Sequence, residues 1–180
     1  MDELDSLSHS KETPGEENVY LVGMLEDGVE KLYLSILHPG DIDQNSIPPE
    51  AIVGRLKEQN PPGQSPFTPG NIIVNSVFVA FLQDVVRCRG AEDPELIISA
   101  RMRKEGMGLM LDRRCIEKGN IELEDLIGAF EITDGKIVPE SYQENEHYEV
   151  VSKDGFMTLG QWLEGVLLEE FHLRFRGSPE

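Results

Sequence analysis

Side-chain catalysis needs a nucleophile beside a base, or several metal ligands that converge. Four histidines and two cysteines are the raw material for either. His147 stands between Glu146 and Glu149, a setting that would raise an imidazole pKa or help hold a metal ion. The same setting also describes a surface imidazole in an acidic turn. His38 with Cys88 or Cys115 would make a thiol–imidazole pair only if the fold brings them together. His9 and His172 lie near the chain ends. The two cysteines match neither a disulfide framework nor a metal spacing, so they read as free thiols of a reducing compartment. No G-x-S-x-G elbow, P-loop, dinucleotide fingerprint, H-E-x-x-H or EF-hand loop occurs, and Gly106-Met107-Gly108 lacks the rest of a phosphate-binding motif. The sequence therefore nominates no catalytic residue, no metal and no cofactor, and leans away from an enzyme.

Charge says more. The 180 residues carry a formal net charge of −18, a balance that repels phosphate backbones and anionic lipid. A protein partner with a basic surface is the expectation, with nucleic acid and membrane disfavoured. The charge is uneven: eight of the sixteen basic residues fall between Arg87 and Lys118, against six acidic ones there. Within that segment Arg101, Arg103 and Lys104, with Arg113 and Arg114, bracket a turn and form a candidate site for an acidic partner. Their alternative role is to neutralise the protein's own carboxylates. Glu140, Glu144, Glu146 and Glu149 form the opposite candidate, an acidic run without a basic residue that would receive a cationic partner or simply stay solvated.

The elements that must position these groups follow from periodicity and turn chemistry. Residues 1–18 hold six acidic residues and only Leu4 and Leu7 as sizeable apolar ones, a composition expected to stay disordered. A globular domain is then expected over 19–176. Val19–Leu25 and Lys31–Leu37, joined through Glu26-Asp27-Gly28, predict a hairpin. Ser46 and the Pro48-Pro49-Glu50 run predict a short helix from Pro48 to Lys57, followed by a loop over Asn60–Gly70. Asn75 or Ser76 caps a helix whose Phe78, Phe81, Leu82 and Val85 share a face, and Asp93-Pro94 opens another that ends before Gly106. Met107–Leu111 reads as a strand, Glu122–Ile127 as a helical turn, and Ala129–Thr133 with Lys136–Val138 as a hairpin around Asp134-Gly135. Tyr148–Ser152 adds a candidate strand. A closing amphipathic helix is expected over Leu159–Phe175, with Trp162 among its apolar residues.

The chain also matches itself. Leu37, Ile42, Ile47, Glu50 and Gly54 recur without a gap as Leu111, Ile116, Ile121, Glu124 and Gly128. Pro69, Asn75 and Phe78 then recur as Pro139, Asn145 and Tyr148. Two such strand, short helix, extended segment and helix units packed together would give one α+β domain of pseudo-twofold character. The alternative is two unrelated units using the same start signals.

No stretch approaches the length of a membrane span, and the acidic N-terminus lacks a basic leader and an apolar core. A soluble cytoplasmic protein is the expectation. Together these features suggest a non-catalytic protein–protein interaction domain of inhibitor, immunity, adaptor or chaperone type. The competing expectation is a small hydrolase or transferase whose site lies between the pseudo-repeats and uses His147 or His38.

Overall fold

The computed structural model describes residues 19–42, 47–57 and 67–175. The tail over 1–18 and most of the Asn60–Gly70 loop lie outside these residues. The chain forms an α+β fold with several antiparallel sheets and a C-terminal helix. In the first sheet β1 (Tyr20–Glu26), β2 (Val29–Ser35), β3 (Ile52–Leu56) and β4 (Ile72–Val74) are neighbours in chain order. Helices α1 (Ser76–Arg89) and α2 (Pro94–Arg103) follow. The second sheet is β5 (Gly106–Leu111), β6 (Leu126–Thr133) and β7 (Lys136–Glu144), with α3 (Arg114–Lys118) between its first two strands. A small hairpin of β8 (Val151–Ser152) and β9 (Gly155–Phe156) leads into α4 (Gln161–Phe175). Among the described residues no helix is long and apolar enough to cross a membrane.

Turn chemistry sets both long hairpins. Asp27 and Gly28 take φ of 53° and 77°, and Asp134 and Gly135 take 52° and 74°, the doubly positive geometry that matches strand twist. One buried apolar cluster runs through both sheets and the helices, from Leu34, Val53 and Phe78 to Phe130, Leu163 and Phe171. α4 buries Leu163, Val166, Leu167 and Phe171, whereas Trp162 is half-buried at its margin.

The helix expected over Pro48–Lys57 does not form. Only a 3-10 turn, Pro49–Ala51, precedes β3. Asn75 Nδ2 donates to the carbonyls of Pro49 and Ile52, both at 2.7 Å, which takes acceptors that a helix would need. Ile52-Val53 then favour the extended chain. Similarly, the expected turn at Glu122–Ile127 is a 3-10 turn over Leu123–Asp125, after which β6 begins at Leu126. β4 and α3 were not legible in the sequence, being three and five residues long.

The self-match survives in one local pattern. Asn145 Nδ2 donates to Leu123 O at 2.6 Å and Leu126 O at 2.7 Å, the counterparts of Pro49 and Ile52. Each asparagine Oδ1 accepts the amide two residues on, Val77 or His147, at 3.1 Å. The backbone amides of Asn75 and Asn145 donate to Val53 O and Ile127 O. Gly54 pairs with Val74, and Gly128 with Glu144. At either glycine a Cβ would collide, with Ile73 O at 2.8 Å or with the Tyr142 hydroxyl, which explains their recurrence.

The gapless alignment fails in the preceding strand. Ser35 pairs with Ile52 as Leu111 pairs with Leu126, so Leu111 matches Ser35 rather than Leu37. Each strand carries a bulge there, and the connection that follows is two residues shorter in the second sheet. Beyond these features the halves diverge. A helix follows Asn75 directly, but a turn and the β8–β9 hairpin follow Asn145.

Candidate functional site

The densest polar chemistry surrounds Arg114, at the start of α3. Its side chain is 4% exposed, and it is no surface cation, contrary to its place in the expected basic patch. All five guanidinium protons have an acceptor within reach. Nε donates to Asp125 Oδ1 at 2.8 Å, Nη2 to the carbonyls of Glu124 (2.8 Å) and Glu149, and Nη1 to those of Gly155 (3.2 Å) and Val150 (3.4 Å). The Tyr148 ring lies 5.9 Å from the guanidinium carbon. Arg114 thus ties three chain segments together: the turn before β6, the segment after Asn145 and the β8–β9 hairpin.

Two buried carboxylates complete the network in different ways. Asp125 Oδ2 accepts from Lys118 Nζ at 3.0 Å and from the Glu122 amide at 3.2 Å. Burial alone would raise its pKa, but the hydrogen bonds from Arg114 and Lys118 outweigh it and hold the carboxyl below the usual range. Asp112 accepts from the Thr158 amide at 2.9 Å, the Arg114 amide at 3.1 Å and the Tyr148 hydroxyl at 3.0 Å. Its nearest guanidinium nitrogen is 3.8 Å away, so desolvation dominates and pushes its pKa up. Burial, with Asp112 beside it, also raises the Tyr148 hydroxyl well above the ordinary value. Each of these groups is engaged by the protein itself.

The histidines and cysteines considered for catalysis share no hydrogen bond with one another among the described residues. His38 is exposed; its Nδ1 accepts the Gly40 amide at 3.0 Å, and its ring meets Tyr20 edge-on. His147 is exposed in the turn after Asn145. Cys88 is exposed on α1, while Cys115 is buried on α3, where desolvation and the nearby Asp125 and Asp112 raise its pKa. His9 lies outside the described residues.

The two charged candidates separate along the second sheet. At one end α2 meets the β6–β7 turn: the Gly135 amide donates to Lys104 O at 2.8 Å and the Asp134 amide to Glu105 Oε1 at 3.0 Å. Arg101, Arg103 and Lys104 are exposed there, with Lys136 the next residue after Gly135. Arg113 is not part of this group. It pairs with Glu95 at 2.5 Å and packs on Gly160.

At the other end lie Glu146 and Glu149, joined by Glu122, Glu124 and Asp154, which the sequence reading missed. The Glu149 amide donates to Glu124 O at 3.1 Å, which brings the two stretches together. Carboxylate oxygens of Glu122, Glu124 and Asp154 lie within 4.8 Å of one another. Lys153 reaches Glu122 at 2.6 Å and Glu124 at 4.0 Å, and Lys118 reaches Asp154 at 2.5 Å, so ammonium groups already neutralise part of this cluster. Glu124 Oε1 is buried without a hydrogen-bond partner among the described residues. Exposed Ile116, Ile121 and Leu123 belong to the same end. Glu144 instead pairs with Arg87 at 2.6 Å beside a groove of about 560 Å³ lined by Val74, Val79, Ala80 and Gln83. Glu140 sits exposed along β7, four residues before that pair. The recurrence of Asn75 as Asn145 is the sequence signal that could have placed Leu123–Leu126 beside residue 145. Comparison with known proteins returned no match at the level of family, curated sequence or solved structure.

Proposed function

We propose that the chain is a non-catalytic protein–protein interaction domain, of inhibitor, adaptor, immunity or chaperone type, that receives a basic partner on its acidic end and the adjoining β7. The observation that carries this reading is the division of labour among charged groups. The buried ones, Asp112, Arg114, Asp125 and Tyr148, are consumed by internal bonds, while Glu140, Glu146 and Glu149 are exposed without an ion pair among the described residues. Apolar Ile116, Ile121 and Leu123 beside the acidic end supply contact area, and the surplus charge speeds encounter. The contact reading is preferred to a hydrolase or transferase because His38 and His147 are exposed and hydrogen-bond with no carboxylate or thiol among the described residues.

The test is affinity capture from native lysate with the full chain and with a Glu140→Gln, Glu146→Gln, Glu149→Gln variant, at low and high salt. A basic protein retained by the wild type at low salt, and lost on the variant or at high salt, is the expected result. Capture that ignores both salt and these substitutions would reject the reading.

A further inference from the structure

Most described cations of this acidic protein are paired, yet one corner keeps several free. Arg101, Arg103, Lys104 and Lys136 have no carboxylate within 4.0 Å among the described residues. Among the described residues Arg103 reaches only a backbone carbonyl, Met107 O, at 3.3 Å. Glu105 and Asp134 share the corner, where Glu105 Oε1 accepts the Asp134 amide, so the four cations and two carboxylates leave it a net +2. Beside these cations the outward face of α2 exposes Ile98 and Met102, one helical turn apart and 57% and 79% accessible. Gly135 packs against Lys104 and the Arg101 backbone, so the corner is preassembled.

Lys104 adds an independent sign. Its backbone sits at φ 71° and ψ −46°, near the rare, strained γ conformation, where glycine would rest at lower cost. Such an outlier points toward use of the side chain it carries.

We propose that this corner is a docking site for an acidic segment of another protein that also bears apolar side chains. Its carboxylates meet Arg101, Arg103, Lys104 and Lys136, and its apolar groups cover Ile98 and Met102. Duplex nucleic acid fits less well, because apolar Ile98 and Met102 adjoin the cations and the whole molecule carries −18. At physiological salt the Debye length is about 8 Å, so an incoming segment feels the corner more than the distant acidic end. At about 0.01 M salt the length is about 30 Å, and the net negative charge opposes the same segment. Affinity for an acidic ligand is therefore expected to peak near physiological ionic strength rather than to fall steadily with salt. The proposal rests on the contact-protein reading but concerns the opposite end of the second sheet.

The experiment pans a random peptide phage library against the full chain at about 0.15 M salt. Two variants serve for comparison: Arg101→Glu, Arg103→Glu, Lys104→Glu, Lys136→Glu, and Ile98→Ser, Met102→Ser. These positions are exposed, and circular dichroism melts confirm that each variant is folded. Peptides that bind the wild type and lose at least about tenfold in affinity on the charge-reversed variant are expected to be net negative and to contain Leu, Ile, Phe or Met. They should weaken by about threefold or more on the apolar variant. Basic peptides that persist on the charge-reversed variant report the acidic end separately, so failure of one surface is distinguishable from failure of the other. The proposal is overturned if no peptide depends on the four cations, if those that do are neutral or basic, or if duplex DNA or RNA displaces them.

Discussion

The connections β2–β3 and β5–β6 solve one geometric problem with opposite chemistry. In the first, the Ile36 amide donates to Ala51 O; in the second, the Asp112 amide donates to Asp125 O. All four residues are buried. Where the first connection fills the space with apolar Ile36, Leu37 and Ala51, the second uses two carboxylates and saturates them with Arg114, Lys118, Tyr148 and backbone amides. An apolar filling would have served the fold equally. The ionic version does something more: it reaches across to residues 149–155 and holds the loops that make the acidic end. Buried charge here marks scaffolding, and the surface beside it is the functional candidate.

The largest expected effect comes from removing the hub. Arg114→Ala should destabilise by about 3–5 kcal/mol, because Asp125 and four carbonyls lose a donor, and Asp112 its nearest guanidinium, in a buried setting. A denaturant melt showing a loss below about 1 kcal/mol would mean that the network is ornamental and the two connections are alike. Asp125→Asn should cost about 1.5–3 kcal/mol, as charge-assisted bonds to Arg114 and Lys118 are weakened. Asp112→Asn should cost clearly less, since that carboxyl sits among amides and a hydroxyl with its pKa raised by burial.

The same contrast has a pH signature. Asp125, depressed in the folded state, stabilises above the unfolded carboxylate pKa of about 3.9, and that contribution fades as pH falls through its lower folded value. Asp112, raised in the folded state, has the opposite sign: its contribution is complete below about pH 3.9 and is lost as pH climbs through its folded value. Asp125→Asn should therefore flatten the acid limb of the stability curve, and Asp112→Asn should gain on the wild type as pH rises. Equal shifts for both variants across the acid range would contradict the assignment. The most symmetrical effect belongs to the asparagines. Asn75→Ala and Asn145→Ala should each cost about 1–3 kcal/mol, since each strips partners from two carbonyls, and the two losses should agree within about 1 kcal/mol.

Much of the scaffold was legible because its signals are local. Asp27-Gly28 and Asp134-Gly135 announced their hairpins, Asp93-Pro94 capped and opened α2, and the spacing of Phe78, Phe81, Leu82 and Val85 gave the buried face of α1. The Pro48–Lys57 helix failed because its carbonyls are claimed by Asn75, a residue outside the window on which propensity acts. Arg114 misled for a related reason. A cation that neutralises buried carboxylates looks, in sequence, like a cation on a patch, and its acceptors lie up to 41 residues away. The pairing of Asn75 with Asn145 carried long-range information, yet the bulge and the shortened connection displaced the alignment by two residues in the strand before it.

The claim that this chain works by contact through its acidic end is tested most directly by stopped-flow association of the captured basic partner with the wild type and the Glu140→Gln, Glu146→Gln, Glu149→Gln variant. The account predicts an association rate that falls by about tenfold at low salt, a dissociation rate unchanged within about twofold, and convergence of the two proteins at about 0.5 M salt. A loss confined to dissociation, or identical rates at every ionic strength, would contradict it.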